Sequence, residues 1–177
     1  SVKENPDNDR NMHYLGREYM YYGRWIEAIN TLKKHLTLKN STWKDERAAS
    51  MRFISRCYKN LNNHSEARLY LDKAIKEAPY LRDAYIEKAI LEYELKNYEE
   101  TEKYCLKALE ITTHTKSYIN EVFSWDNTVY DLLAIACYHL NKIPYALYFT
   151  NQALLTDKTN ERLLKNKLLY EEIINKK

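Results

Sequence analysis

The chain has 177 residues, of which 45% are hydrophobic and 30% charged, enough for one packed domain or one continuous array of repeats. Its formal net charge of +3 is too small to indicate nucleic-acid binding. No stretch approaches the ~18 apolar residues of a membrane span, and no apolar signal segment opens the chain, so we expect no membrane span.

The first residues predict a polar leader followed by a helix. Residues 1–8 are expected to be a flexible N-terminal segment, and Asp7 or Asp9 is a suitable cap for the helix after it. The apolar stripe of that helix is expected to end with Tyr22, and Gly23 suits the tight turn that follows.

With only 2 Gly and 3 Pro, the rest of the chain favours long helices joined by short links over a β protein. Ser65 is predicted to cap one of these helices and Pro79 to end it, while Pro144 occupies a permitted first-turn position. Helices are predicted at about 9–22, 25–38, 44–61, 65–78, 81–95, 98–112, 127–140, 143–156 and 159–175. The last is expected to be a polar cap with outward-pointing lysines, namely Lys165, Lys167, Lys176 and Lys177.

The spacing of small residues repeats along these helices. Ala74 recurs as Ala108 after 34 residues, a period typical of helix–turn–helix arrays whose units bury their apolar faces against one another. Longer intervals predict two insertions, near 39–45 and 113–126. The second contains Tyr118, Ile119 and Trp125 and has two interpretations: it folds back over the neighbouring repeat, or it contacts a ligand.

The pattern resembles the tetratricopeptide repeat. Tyr19 and Tyr58 occupy positions of that motif, as do four small residues, Gly16, Ser55, Ala89 and Ala134. The resemblance implies an all-α, right-handed solenoid of about four helix pairs with a C-terminal capping helix, in one domain at 9–177. It also implies a module that binds a protein or peptide. Lys88 and Glu92 depart from the motif at core positions, and their four-residue spacing would allow them to pair.

Enzymatic chemistry is not expected in this chain. Asp7-Asn8-Asp9 spells an acidic triplet that metal-dependent glycosyltransferases use, but it precedes a helix here, and helix capping is the favoured role. The five His lack zinc-protease spacing, and there is no glycine-rich phosphate loop. We therefore expect no catalytic residue, metal site or cofactor.

The three cysteines lie within helical patterns. Their odd number and spacing favour reduced core thiols over disulfides or metal ligands: Cys57, Cys105 and Cys137. Together with the missing signal segment, they predict a cytoplasmic protein.

The first helix of each pair in tetratricopeptide arrays lines a concave groove, so the resemblance also implies a binding face. Its first half would be cationic and its second half aromatic and apolar. Clustered arginines favour carboxylate or phosphate; alternatively, Arg17 and Arg56 pair with carboxylates of the chain itself, such as Glu18 and Glu46. The groove residues are Arg10, His13, Arg17, Tyr21, Arg52, Arg56, Lys59, Tyr93 and Tyr138.

A narrower resemblance is to the helical tail of bacterial family 2 glycosyltransferases. The strings that carry it run over 11–19, 45–52 and 117–121, and the last adds Asn120 and Glu121 to the candidate site. It implies a non-catalytic module that positions an acceptor or holds the adjoining catalytic domain, which would precede this chain. The alternative is a free-standing adaptor for an acidic peptide or protein, unrelated to sugar transfer.

Overall fold

The computed structural model describes residues 2–5 and 7–176, and in this part of the chain every element is helical. The all-α prediction is confirmed. The α-helices are α1 (Asp9–Tyr21), α2 (Trp25–Thr37), α3 (Lys44–Asn60), α4 (His64–Glu77), α5 (Arg82–Glu94), α6 (Tyr98–Leu109), α7 (Thr128–His139), α8 (Ile143–Leu154) and α9 (Glu161–Asn175). A short 3₁₀ helix, Val122–Ser124, precedes α7.

The helices belong to two compact units, and each is described by itself. Unit 1 ends at Ala84 and contains α1 to α4, whereas unit 2 begins at Tyr85 and contains α6 to α9 with most of α5. The extent of a single repeat domain over 9–177 stays a prediction. Ser1 and Pro6 of the expected flexible segment, and Lys177 of the expected lysine cap, lie outside the described residues.

Asparagine side chains cap three of the helices. Asn8 accepts a hydrogen bond from the backbone N–H of Asn11 at 2.8 Å, and Asn63 accepts one from Glu66 at 3.2 Å. The predicted caps at Asp7 or Asp9 and at Ser65 are therefore wrong. Asp9 and Ser65 lie inside their helices. A capping residue has a non-helical backbone and directly precedes the first helical residue.

The turn inside each helix pair has the same backbone conformation. One residue adopts a left-handed φ in each turn, and these four residues are 39, 34 and 45 positions apart, matching the two long intervals in the sequence: Gly23, Asn62, Lys96 and Asn141. The residue after each donates its N–H to a carbonyl five residues back, as Arg24 does to Tyr19 at 2.9 Å. Repetition of this turn supports the repeat register.

In unit 1, α2 packs on α1 and α3, and α3 packs on α4. Gly16 is necessary for the closest approach, because a Cβ there would lie 2.5 Å from the Leu32 side chain. Tyr22 is 79% exposed, so its predicted place in the core is wrong. It lies at the C-terminal cap of α1, and Met20 is buried instead.

In unit 2, α7 packs on α6 and α8, and α8 packs on α9. Between these helices lie Val129, Leu133 and Ala146, all fully buried. The predicted insertion contributes Ile119 to the buried residues, and its 3₁₀ helix contacts α7. Part of the insertion therefore packs against its own unit, as one of the two interpretations expects.

The last helix, α9, differs from the expected polar cap. Lys165 and Lys176 are exposed as predicted. However, apolar residues are exposed on the same helix: Leu164, Leu168 and Leu169.

Candidate partner-binding residues

Helix α1 of unit 1 presents a cation between two aromatic rings. The Arg17 guanidinium carbon lies 4.8 Å from the ring centroid of Tyr14 and 5.8 Å from that of Tyr21. These residues are spaced by three and four positions, which places them on one face of the helix. Tyr21 is 65% exposed, so one of the two rings is available to another molecule.

The Arg17 guanidinium makes only weak polar contacts with the rest of the chain. Its Nε is buried and has no hydrogen-bond partner in the described structure, and its ion pair with Glu18 is long, with 3.8 Å between Nη2 and Oε1. The side chain is 29% exposed. Because the Nη2 ion pair is long and the side chain is partly exposed, the terminal nitrogens of the guanidinium retain hydrogen-bonding capacity that a carboxylate or phosphate would satisfy.

Arg10 lies about two turns before Arg17 on the same helix and is exposed. Its Nε lies 3.8 Å from Glu46 Oε2. Arg10 is exposed whereas Glu46 is buried, so this pair compensates part of the cost of burying the carboxylate.

His13 lies in the interior of unit 1. Its Nδ1 is 2.7 Å from the Ser50 hydroxyl, which is also 2.8 Å from Nδ1 of His35. Burial, the largest cause, lowers the pKa of His13 to about 4, and the nearby charge of Glu46 opposes this only in part. His13 is therefore neutral at pH 7 and has a packing role in the fold.

The cations of α3 are less accessible than those of α1. Arg52 is 3% exposed, and its guanidinium lies 5.6 Å from the Phe53 ring centroid; that of Arg56 lies 5.0 Å from the same ring. Arg56 and Lys59 are half-buried, and none of the three cations is without a partner. Their predicted role in a groove stays a prediction, and Arg17 is the better-placed cation.

The aromatic candidates of unit 2 have neighbours of the same kind. Tyr93 contacts Tyr98 edge-on, with 6.3 Å between ring centroids. Tyr138 is at the surface and lies 5.3 Å from Tyr170 and 5.4 Å from His139. Such clusters provide apolar contact area with polar hydroxyls at the edge.

Asn120 and Glu121 line a cavity of about 380 Å³ in the insertion of unit 2. The Asn120 amide donates to the carbonyl of Thr115, and Glu121 precedes the 3₁₀ helix. The cavity is also bordered by Trp125, which stacks on His114 with 4.3 Å between ring centroids. Both predicted residues thus lie together at one concave surface.

The charged residues that interrupt the repeat motif in α5 are buried in unit 2. The Lys88 ammonium lies 4.4 Å from the Tyr104 ring centroid, and Glu92 accepts a hydrogen bond from the Asn97 side chain at 2.6 Å. Neighbouring helix α6 therefore supplies an aromatic ring to this position, which compensates part of the cost of burying the charge.

The three cysteines are free and buried. Burial raises the pKa of Cys57 and Cys137 to about 12 and also raises that of Cys105. All three thiols are therefore protonated at neutral pH, a state in which they are poor nucleophiles.

Two residues of these sites, Tyr14 and Ser50, were not identified from the sequence. Tyr14 was not included, although its spacing from Arg17 and Tyr21 was a usable signal. Ser50, which joins the two buried imidazoles, had no local sequence signal because its partners come from α1 and α2.

Comparison with known proteins agrees with this geometry. The family profile described as tetratricopeptide repeat matches residues 53–80. This range holds about the C-terminal half of α3 and all of α4. The fold is that of tetratricopeptide repeats. No curated protein matches the sequence.

Solved structures with this repeat fold include three informative ones. The crystal structure of MamA has a TM-score of 0.70 and 18% identity, covering 91% of this chain and 85% of that one. The N-terminal domain of stress-induced protein-1 from C. elegans has a TM-score of 0.62 and 18% identity, covering 73% and 98%. Pseudomonas aeruginosa PilF has a TM-score of 0.66 and 15% identity, covering 99% and 70%. At these identities the likeness concerns the fold alone. Among the described residues, no helix is long and apolar enough to span a membrane.

Proposed function

We propose that this chain is a non-catalytic interaction module of a bacterial family 2 glycosyltransferase, which holds an acidic segment of its partner on the α1 face of unit 1. The observation that carries the binding part is Arg17, whose guanidinium lies between two tyrosine rings and whose side chain is 29% exposed. A partner carboxylate would pair with this guanidinium, and an adjacent apolar side chain would pack on Tyr21.

The proposed link to sugar transfer is supported by the resemblance of three strings, which lie in α1, in α3 and before the 3₁₀ helix. Two of these strings contain residues of the buried network, His13 and Ser50, so the resemblance extends to interior positions that a general repeat leaves open. The acceptor of the sugar, or the catalytic domain itself, would be the bound partner.

Binding is tested with a short fluorescent peptide in which Asp and Glu alternate with Phe, and with a counterpart that carries Lys in place of the acids. We expect anisotropy to report binding of the acidic peptide only. Arg17→Glu should weaken it by at least about tenfold, since a hydrogen bond to a charged group contributes about 1.5–3 kcal/mol.

Arg24→Glu is the matched control in the same unit. Its guanidinium is already paired with Glu27 at 3.0 Å and lies over the Tyr19 ring, so reversal should not change peptide affinity. Equal affinity of wild type and Arg17→Glu for the acidic peptide would reject the α1 face as the binding surface.

The link to sugar transfer needs a separate experiment, namely the reading frame upstream of Ser1. An in-frame domain that binds a nucleotide sugar in the isolated protein would support it. A start codon immediately before Ser1 would instead favour the free-standing adaptor, and the peptide result would still stand.

A further inference from the structure

We propose that unit 1 contains a binding site for a divalent transition-metal ion of the Zn²⁺ class, formed by Asp9, His35 and Glu46. One ligand atom from each of the three side chains lies within 4.8 Å of the other two. They come from the start of α1, the end of α2 and the start of α3. His35 and Glu46 are 0% and 2% exposed, so the cluster belongs to the interior rather than to a solvated acidic surface.

The donor set matches the chemistry of zinc and its neighbours. An imidazole nitrogen with carboxylate oxygens suits Zn²⁺, Co²⁺ and Mn²⁺, whereas Ca²⁺ and Mg²⁺ favour oxygen ligands alone. His35 Nε2 lies 3.3 Å from Glu46 Oε1. Two ligands of a tetrahedral ion at about 2.0–2.1 Å are separated by about 3.4 Å, so these two atoms are already spaced as ligands.

The opposite nitrogen of His35 is held as metal-bound histidines are held. Its Nδ1 lies 2.8 Å from Ser50 Oγ, and the same hydroxyl lies 2.7 Å from Nδ1 of His13. A hydroxyl has one proton and two lone pairs, so Ser50 can accept from one ring while it donates to the other. When His35 Nδ1–H donates to Ser50, the lone pair of Nε2 faces Glu46, and a cation between these two acceptors would be bound by both.

The loop between α2 and α3 fixes the third ligand. The Asn40 amide donates to the backbone carbonyl of Asp7 at 2.9 Å and contacts Asp9 Oδ1 at 3.4 Å, which holds the start of α1 against this loop. Arg10 approaches Glu46 through Oε2, the oxygen other than the one nearest His35, at 3.8 Å. Arg10 therefore lowers the negative charge of the site without occupying it.

A proton on His35 Nε2 is the competing arrangement. It would donate to Glu46 and would need no metal, and the hydroxyl of Ser41, 3.1 Å from the same nitrogen, would complete that network. The two arrangements differ in whether the full chain takes up a metal ion at these three residues.

The experiment is a titration of the chelator-treated full chain with Co²⁺ alone, followed by competition with Zn²⁺. We expect one equivalent of Co²⁺ to give visible d–d bands that Zn²⁺ abolishes. Zn²⁺ should also raise the Tm by about 3 °C or more, because an ion that binds only the folded state stabilises it.

Variants of the ligands locate the ion. Asp9→Asn and His35→Gln should each weaken Co²⁺ binding by more than about a hundredfold, and Ser50→Ala by about tenfold to a hundredfold. Asp9 is half-buried at the helix start, so Asp9→Asn should keep the wild-type far-ultraviolet circular dichroism and remains informative if His35→Gln unfolds.

Asp7→Asn and His64→Gln are the matched controls, an acid and a histidine of the same unit outside the cluster, and both should bind Co²⁺ as the wild type does. Absence of d–d bands in the wild type would overturn the proposal in favour of the protonated histidine. So would bands that persist in Asp9→Asn, or a thiolate charge-transfer band, which would place the ion on a cysteine.

Discussion

The two units pair their buried polar groups differently although both are built from the same helix pairs. In unit 1, a hydrogen-bonded chain runs from His13 through Ser50 to His35 across α1, α3 and α2. In unit 2, the buried Lys88 ammonium lies over the Tyr104 ring and the buried Glu92 accepts a hydrogen bond from the Asn97 side chain, whereas Leu133 and Cys105 bring apolar groups from α7 and α6. The repeat therefore requires small residues where helices approach closely. Other interior positions accept apolar or polar side chains, provided that the polar groups are paired.

The comparison predicts that a large charged side chain at a close-contact position destabilises both units equally. Ala67 and Ala146 are fully buried, so Ala67→Glu and Ala146→Glu would each place an unpaired carboxylate in the interior. We expect each to lower the free energy of unfolding by at least about 4 kcal/mol, measured by urea denaturation. Leu69→Glu, at an exposed position of α4, should change it by less than about 1 kcal/mol. A wild-type midpoint for Ala67→Glu would refute the repeat register.

Acid should affect the polar interior of unit 1. The pKa of His13 is about 4 in the folded state and about 6.5 when unfolded, so the unfolded state binds more protons between these values. Stability should therefore fall as the pH is lowered from 6.5 towards 4, by about 2–3 kcal/mol from this residue. Urea denaturation at both ends of this range should show a smaller loss in His13→Gln than in the wild type.

His139→Gln serves as the control in unit 2, because His139 is at the surface and stacks on Tyr98. Its loss of stability in acid should equal that of the wild type. An unchanged acid response in His13→Gln would mean that other groups cause the pH dependence.

Removal of one buried hydroxyl should destabilise the chain more when the hydroxyl lies in unit 1 than when it lies in unit 2. Ser50→Ala leaves Nδ1 of both His13 and His35 without this partner, and we expect a loss of about 2 kcal/mol in the free energy of unfolding. Thr150→Val in unit 2 should cost less than about 1 kcal/mol. The Thr150 hydroxyl donates only to the Ala146 carbonyl of its own helix at 2.8 Å, and valine keeps its shape. Equal losses would contradict the energetic importance of the buried network.

The smallest expected effect concerns the turns. Lys96 in unit 2 has φ of 62°, and Gly23 in unit 1 has φ of 71°. A left-handed backbone costs a residue with a Cβ about 1 kcal/mol, so Lys96→Gly should stabilise the chain by about 0.5 kcal/mol after the entropy of glycine is counted. Gly23→Ala should destabilise it by about 1 kcal/mol. Thermal unfolding of both variants measures the difference, and stabilisation by Gly23→Ala would contradict it.

Much of the proposed binding surface could be identified as a helix face from the sequence. The three- and four-residue spacing placed Arg17 with Tyr21, and the structure adds Tyr14 to them. The same spacing placed His13 and Arg52 on candidate faces, but both are buried. Helical periodicity states which residues share a face, and it does not state how much of that face a neighbouring helix covers.

The amino-acid sequence by itself determined the helices, the repeat and its two long intervals, because apolar periodicity and small residues at close contacts are local properties. Cap identity was already less certain, since adjacent polar residues such as Asn8 and Asp9 compete for one position. Only the tertiary structure decided which polar groups are buried together. Asp9, His35 and Glu46 are far apart in the chain, and their approach depends on the packing of three helices rather than on any local pattern.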